Sequence, residues 1–548
     1  MGPNTKKRVL IIGLDGFTWN LGRHFMQQGV MPRLAALVQG GGSGDLRSVM
    51  PFETSPAWSS FQTGCLPGKT RVFAFHTYDR ANRTVRLNSF SDIAVPSIWE
   101  LADKAGKTVV SLNMPVSSPP PRLRGVIVPG LLCPKLSCET VQPPEAYNRY
   151  IKPRRGYLIV NHDWQDTVGQ FVDQAIATER VRCDVALDMM QDIDWDIFCV
   201  QVQSSDALQH KIWWAIDPIS AGASAEEHTD AMRFYRSCDE NIGRLVDAAG
   251  PETLKLLVSD HGFCAKKADV GVNTWLRQKG YLQLVGRPPA VGFAAAKNRL
   301  KDNHPVLKSM AKTYGSLRGG VSGGCKRIRE KMQKPGSTRM YADTLTAHIR
   351  TVVDFETSRA FCLGGMAGMI YINGDRCERA LFGQQLAGEL LEAFGPQAKD
   401  PVITGIRAGR EVYSLEEQQD YLPDLVVEFA AGYESRIHPG GEEVIMPGAF
   451  KGKQQGTHSR SGIFVAHGPA IRPAGKFDAE IVDIVPTILA YLDIPVPRYM
   501  DGQVMESLFS EPLHVLFKDV SYGASSATEY SDDEQRQVEK HLSDLGYL

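Results

Sequence analysis

Four short apolar runs along the chain each adjoin a polar turn. An apolar run of this length is typical of a strand in a parallel sheet that is covered on both faces. Segments 165–192 and 228–248 are predicted helices that lead into the second and third runs. This alternation predicts an α/β fold with a mostly parallel central sheet. The runs are Val9-Leu-Ile-Ile-Gly-Leu, Ile197-Phe-Cys-Val-Gln-Val, Leu254-Lys-Leu-Leu-Val-Ser and Gly462-Ile-Phe-Val-Ala.

The second half of the chain contains shorter predicted elements. An amphipathic helix is predicted over 376–397, and a smaller segment with strands over 400–430. The acidic stretch from Tyr530 predicts a capped helix that ends near Gly546. We expect this last helix to pack on the surface or to form the contact of a homodimer.

Carboxylate and imidazole side chains lie beside all four runs. The carboxyl ends of strands in an open α/β sheet face one crevice, so residues remote in sequence can meet there. Each residue also has a simpler explanation when it is taken alone, such as a turn or a helical ion pair. The residues are Asp15, Asp206, His210, Asp260, His261 and His458.

The segment from Pro51 to Gly64 carries a candidate nucleophile, Thr54. Pro56 predicts the start of a helix, because proline is tolerated in the first helical turn. The unpaired N–H groups of such a helix end would lie close to the Thr54 hydroxyl and would favour an anion there. A threonine hydroxyl needs a metal or a base to become a nucleophile at neutral pH. Taken alone, Thr54 is more simply explained as a helix cap.

These residues, in this order, resemble the alkaline phosphatase superfamily, specifically its type I phosphodiesterase/nucleotide pyrophosphatase branch. The resemblance covers nearly the whole chain. It implies an α/β fold of the alkaline phosphatase type, a three-layer sandwich with a central, mostly parallel sheet. It also implies a discontinuous catalytic core over 1–280 and 340–510, a basic, glycine-rich insertion or cap over 281–339, and a helical tail over 511–548.

The resemblance further implies a site for two divalent metal ions. The ligands of one ion would be Asp15, Thr54, Asp260 and His261, and those of the other Asp206, His210 and His458. These ligand types favour zinc, with manganese as the alternative. The implied reaction is hydrolysis of phosphodiester or phosphoanhydride bonds in a small, nucleotide-like substrate, through a covalent phosphothreonine at Thr54.

The side chains that would bind the substrate are less sharply indicated. A diesterase needs an apolar or stacking surface for its second ester group, and Trp58, Trp213 and Trp214 are candidates, with core packing as the simpler explanation. Asn113 is a candidate pocket residue. No arginine adjoins Thr54 to neutralise a dianionic monoester. The alternatives are a phosphomonoesterase or phosphoryl transferase acting on a small metabolite, and a metal-stabilised protein that binds an anionic partner without catalysis.

Composition adds expectations about partners and location. The 548 residues are 43% hydrophobic and 22% charged, which is ordinary for a globular protein, and the net charge of −1 gives no overall bias. Segment 287–339 departs from this, with 13 Lys and Arg against 2 Asp and Glu. A solvated surface loop is the simpler explanation, and binding of nucleic acid or another anionic partner is the alternative.

Several absences bear on location. No apolar run approaches the roughly 20 residues that span a membrane, so no membrane association is expected. Ten dispersed cysteines and a first segment without the pattern of a secretory signal predict a cytoplasmic protein with reduced thiols.

Overall fold

The computed structural model describes residues 6–160, 167–220, 222–285, 349–450, 453–473, 475–522 and 530–545. Strands of three or more residues are Val9–Leu14 (β1), Gly42–Arg47 (β2), His76–Asp79 (β3), Thr84–Leu87 (β4), Val109–Met114 (β5), Gly125–Pro129 (β6), Ile197–Val202 (β7), Leu254–Val258 (β8), Gly262–Ala265 (β9), Ala268–Val270 (β10), Ala360–Leu363 (β11), Gly368–Ile372 (β12), Ile403–Ala408 (β13), Leu425–Phe429 (β14), Tyr433–Ser435 (β15), Ile445–Pro447 (β16), Gly456–Ser459 (β17) and Ser461–His467 (β18).

The helices in the same ranges are Trp19–Gln27 (α1), Pro32–Gly40 (α2), Thr54–Thr63 (α3), Pro67–Thr70 (α4), Ile98–Lys104 (α5), Pro144–Ala146 (α6), Val168–Asp192 (α7), Ser204–Ile216 (α8), Ala225–Ala249 (α9), Val272–Gln278 (α10), Ile349–Val352 (α11), Arg376–Phe394 (α12), Gly409–Val412 (α13), Ile484–Tyr491 (α14) and Asp532–Leu545 (α15).

The largest sheet carries the predicted parallel strands at its centre. β1 pairs in parallel with β7 on one side and with β8 on the other, and β7 continues in parallel to β5 and β6. The order is β2-β18-β8-β1-β7-β5-β6, with the short strands Gly475–Lys476 and Ala479–Glu480 paired to β2. β18 is antiparallel to both of its neighbours, β2 and β8. The mostly parallel central sheet expected from the sequence is confirmed.

Helices cover both faces of this sheet, because successive side chains of a strand point to opposite sides. Leu10 and Ile12 of β1 pack in a core with α1, α2, α7 and α9, whereas Val9 and Ile11 pack in a second core with α3, α5 and α14. The helices predicted over 165–192 and 228–248 are α7 and α9. Together the sheet and its two helical covers form three layers.

A smaller antiparallel sheet has the order β11-β12-β14-β13 and its own core, to which α12 contributes. The carboxylate of Asp375 accepts the N–H groups of Cys377 and Glu378 and caps α12. This helix ends at Phe394, before the predicted end at residue 397, because the following glycine is extended. β13 and β14 lie in the segment from 400 to 430 in which strands were expected.

The tail helix α15 packs onto the body of the protein rather than projecting from it. Val538, Leu542 and Leu545 are buried in a core that also contains Phe75 and Leu131. The basic segment 287–339 lies outside the described residues, so the division of the chain into core, insertion and tail stays a prediction. Within the described ranges, no helix is both long and apolar enough to span a bilayer, and the nine cysteines are unpaired.

Candidate active site

The carboxyl edge of the large sheet gathers the side chains singled out in the sequence. They are Asp15 after β1, Asp206 and His210 in α8 after β7, Asp260 and His261 after β8, and His458 before β18. They fall into two triads, one of Asp15, Asp260 and His261 and the other of Asp206, His210 and His458, and within each triad the ligand atoms lie within 4.8 Å of one another.

His458 reaches this edge by a different route from the others. It lies in the short strand β17, just before β18, whereas the other five residues come after a strand of the large sheet. β18 runs antiparallel to β8, so the beginning of β18 lies at the edge where β8 ends. The reversed direction of this single strand therefore brings a residue late in the chain to the ligands that follow β7 and β8.

The first triad is completely buried. His261 Nε2 lies 3.6 Å from Asp15 Oδ1 and 3.2 Å from Asp260 Oδ2. Neither of these two carboxylate oxygens accepts a hydrogen bond from any described residue, although both are shielded from solvent. Buried carboxylate oxygens without a donor are costly, and a bound cation is the usual compensation. The triad therefore fits a divalent metal ion.

The other oxygens of these carboxylates are held by donors. Asp15 Oδ2 accepts the indole N–H of Trp58 at 2.8 Å and the amide of Gln201 at 2.7 Å. Asp260 Oδ1 accepts the backbone N–H of Gly16 at 3.1 Å. These bonds orient each carboxylate so that its second oxygen faces His261, which is how surrounding residues commonly fix metal ligands.

The second triad lies next to the first. Asp206 Oδ1 lies 3.5 Å from His210 Nε2 and 3.3 Å from His458 Nε2. The two imidazole Nε2 atoms face each other at 2.9 Å. Two nitrogens and one carboxylate oxygen thus converge on one point, which is a ligand set that zinc and manganese accept.

Backbone carbonyls set the tautomers of two of the histidines. His261 Nδ1 lies 3.2 Å from the carbonyl oxygen of Gly262, and His458 Nδ1 lies 3.1 Å from that of Phe52. If Nδ1 donates to the carbonyl in each case, the neutral ring keeps its Nε2 lone pair for a ligand, on the side that faces the carboxylates. Both histidines are therefore prepared to bind a metal through Nε2.

Thr54 lies at the junction of the two triads. Its hydroxyl oxygen is 3.5 Å from His261 Nε2, and the His261 and His458 rings stack with 3.6 Å between their centroids. Thr54 is the first residue of α3, two positions before Pro56, where the sequence predicted the helix to begin. The hydroxyl therefore lies at the positive end of a helix, where negative charge is favoured.

Burial and like charges perturb the ionisation of the site. Burial, with the charges of Asp260 and Asp206, raises the pKa of Asp15 well above its ordinary value. Burial and the charge of Asp206 raise the pKa of Asp260 to about 8. Burial lowers the pKa of His261 well below its ordinary range and that of His210 to about 4. Burial also opposes protonation of His458, but the hydrogen bond and charge of Asp206 outweigh it and raise the pKa of this residue instead. Three buried carboxylates beside two imidazoles that resist protonation favour a bound cation.

The four side chains predicted to bind the substrate occupy different positions relative to the two triads. Trp58 is fully buried, and its indole holds Asp15, so it presents no surface for stacking a substrate. Asn113 is also buried and donates to Gln201 Oε1 at 2.9 Å, which places it behind Asp15 in the same network. Trp213 stacks on Phe263 with 5.9 Å between ring centroids. Trp214 is 7% exposed and lines an open cavity of about 570 Å³.

Two acidic residues near the site were not identified from the sequence. Glu53, just before Thr54, accepts the backbone N–H groups of Gly365 at 2.5 Å and Met366 at 2.9 Å, so it ties the Thr54 loop to the smaller sheet. Glu434 bonds Thr457, beside His458, and pairs with Lys266 at 2.6 Å. Burial opposes ionisation of Glu434, but the charge of Lys266 outweighs it and lowers the pKa to about 2.

Comparison with known proteins points to one family. A family model described as type I phosphodiesterase/nucleotide pyrophosphatase matches residues 9–353, more than half of the chain. No curated protein sequence matches. Human ectonucleotide pyrophosphatase/phosphodiesterase 5 has a similar structure, with a TM-score of 0.50 and 12% sequence identity, over 92% of this chain and 100% of that one. Its murine counterpart has a TM-score of 0.50 and 11% identity over the same shares.

The similarity to these two structures concerns the fold, because the sequence identities are low. It agrees with the mostly parallel sheet between two helical layers. The alkaline phosphatase-like architecture expected from the sequence is therefore confirmed.

Proposed function

Because the chain belongs to the type I phosphodiesterase/nucleotide pyrophosphatase family, whose members hydrolyse phosphoric esters with two metal ions, we propose that Thr54 is its nucleophile and that small, nucleotide-like diesters or phosphoanhydrides are its substrates. One observation carries this proposal. The Thr54 hydroxyl lies 3.5 Å from His261 Nε2, where the two ligand triads adjoin. A nucleophile needs to be at such a point to approach a phosphorus atom held by both sites.

The residues present fit two divalent ions. Asp15, Asp260 and His261, with the oxygen of Thr54, would hold one, and Asp206, His210 and His458 would hold the other. Zinc suits these carboxylate and imidazole donors, and manganese is the alternative. When bound, the two ions would supply the positive charge that lowers the pKa of an attacking hydroxyl and stabilises a leaving oxygen.

The chain itself supplies orientation and a covalent carrier. Thr54 Oγ1 forms a bond to phosphorus while the bond to the leaving oxygen breaks, and a water molecule then hydrolyses the phosphothreonine to regenerate the hydroxyl. Glu53 fixes the loop through two backbone N–H groups of the smaller sheet. The helix end at Thr54 favours the negative charge that develops on its oxygen.

Elemental analysis combined with paired nitrophenyl substrates tests the proposal. We expect two metal ions per chain and faster release of nitrophenol from the diester than from the monoester. Thr54→Ala should abolish turnover and keep the metal ion of the second triad, whereas Thr54→Ser should retain part of the rate because it keeps a hydroxyl. Ser59→Ala is the matched control, since it removes a buried hydroxyl from the same helix.

The other outcomes distinguish the alternatives. A dominant monoesterase activity that depends on Thr54 would keep the nucleophile and overturn the diester preference. Anion binding that survives Thr54→Ala, with no turnover of any ester by the wild type, would show a binding protein. Turnover that is unchanged in Thr54→Ala would refute the covalent mechanism itself.

A further inference from the structure

A second polar cavity lies between the edge of the large sheet and the smaller sheet, and we call it the arginine cavity. Its volume is about 140 Å³, which is enough to hold several water molecules. None of the six residues of the two ligand triads lines it. The polar side chains around it are Arg47, Arg407, Arg460, Tyr413 and Glu480.

Positive charge in the arginine cavity is only partly compensated. Arg407 pairs with Glu428 at 2.5 Å, and Arg47 lies 3.4 Å from Glu480. Arg460 donates its Nε to the carbonyl of Ser48 at 3.1 Å, and it forms no ion pair with any residue in the described part of the chain. Burial and the charge of Arg47 lower the pKa of Arg460 from its ordinary value. An anion between these guanidinium groups would relieve this repulsion.

Tyr413 adds an unused hydrogen-bond donor. Only 4% of this residue is exposed, and its hydroxyl has no hydrogen-bond partner among the described residues. A buried hydroxyl without a partner destabilises the protein. Burial raises the pKa of Tyr413 well above its ordinary value, so the hydroxyl stays protonated and can donate. The site therefore offers one neutral donor beside planar guanidinium groups, which suit the oxygens of a tetrahedral anion.

We propose that the arginine cavity binds one phosphate-type oxyanion, at a site separate from the two ligand triads. This inference does not depend on the reaction proposed above. The ligand is either inorganic phosphate or the phosphoryl group of a nucleoside monophosphate whose remainder stays outside. Both share the same chemistry, a tetrahedral group with several acceptor oxygens.

Isothermal titration calorimetry of the metal-loaded protein and of the protein treated with a chelator tests the proposal, with inorganic phosphate and AMP as probes. Phosphate bound at the metal centre should be lost on chelation, whereas binding in the arginine cavity should persist. Tyr413→Phe should weaken this residual binding by about tenfold, the effect of one hydrogen bond to a charged group. Binding of both probes would identify the phosphoryl group as the ligand, and binding of phosphate alone would identify the inorganic ion.

A matched pair of arginine substitutions provides the control. Arg47 is 54% exposed at its side chain and lies 3.4 Å from Glu480, and Arg124 is 62% exposed and lies 3.6 Å from Asp103. Arg47→Gln should weaken phosphate binding about threefold, a typical effect of one exposed charge, and Arg124→Gln should leave it unchanged. In the metal-loaded protein, Tyr413→Phe should weaken only one of the two phosphate sites, by the same factor of about ten, and leave the affinity of the metal centre unchanged. Loss of all phosphate binding on chelation, or equal affinities in Tyr413→Phe, Arg47→Gln and wild type, would overturn the proposal.

Discussion

Replacement of Trp58 by phenylalanine should weaken metal binding without touching a ligand. The indole N–H of Trp58 is one of two donors on Asp15 Oδ2, and the amide of Gln201 is the other. Phenylalanine keeps most of the packing and removes this bond. Loss of a residue that orients a metal ligand typically lowers metal affinity by about 10–100-fold. Because Gln201 still holds the carboxylate, we expect the metal affinity to fall about tenfold, which corresponds to ~1.4 kcal/mol of binding free energy.

Trp99→Phe is the matched control for this change. Trp99 is also fully buried in the same core, and its indole N–H donates to Gln62 Oε1 at 2.8 Å, the same length as the bond from Trp58 to Asp15. Each substitution thus removes one buried indole and one hydrogen bond. Both should destabilise the metal-free protein by on the order of 2 kcal/mol, but only Trp58→Phe should affect the metal.

The assay is competition between the protein and a chromophoric chelator, combined with urea denaturation of the metal-free forms. The expected pattern is an equal loss of stability in the two variants and a loss of metal affinity in Trp58→Phe alone. If Trp99→Phe lost as much metal affinity, the effect would come from general loosening of the core. If Trp58→Phe kept the wild-type affinity, the orienting role of its hydrogen bond would be wrong.

Three further predictions concern other contacts. Glu53→Ala removes the acceptor of two backbone N–H groups and should lower kcat on the diester more than tenfold with unchanged metal content, while Glu53→Gln, which keeps an acceptor oxygen, should retain most of the rate. Arg182→Met leaves Glu179 buried without its guanidinium partner and should lower the free energy of unfolding, measured in urea, by about 3 kcal/mol. This is the lower end for a broken buried pair, because the backbone N–H and the hydroxyl of Ser204 still donate to the Glu179 carboxylate. Burial lowers the pKa of Lys255 from its ordinary 10.5, so between the lowered value and 10.5 the unfolded chain binds more protons than the folded one, and the free energy of unfolding should rise with pH. Urea titrations at neutral and alkaline pH should show this rise in the wild type and not in Lys255→Met. A rise that persists in the variant would show that another group is responsible.

The positions of the candidate ligands were predictable from the sequence because they depend on strand ends. Asp15 and Asp260 follow mostly apolar runs, and the ends of parallel strands meet at one edge whatever the loops between them. His458 precedes a strand that runs the other way, and its position could be assigned only through the resemblance to a family. The direction of β18 is set by its pairing with β2 and β8, which apolar pattern alone does not reveal.

The surroundings of the ligands were not predictable in the same way. Tryptophan is a residue type that often stacks on substrates, and only the hydrogen bond from the Trp58 indole N–H to Asp15 shows that this side chain orients a carboxylate instead. Glu434 adjoins no ligand in sequence and reaches the site through a bond to Thr457. The arginines of the arginine cavity come from segments far apart in the chain, so their convergence depends on how the two sheets meet.

The place of β18 in the large sheet has a consequence for biosynthesis. This strand lies between β2 and β8, and it directly follows the segment that contains His458, 248 positions after His210. A ribosome releases Thr54 and five of the six triad residues long before this strand emerges. Until then β2 is not joined to β8, and the second triad lacks the imidazole of His458. The order of translation thus keeps the candidate site of the nascent chain incomplete until this late strand joins β2 to β8.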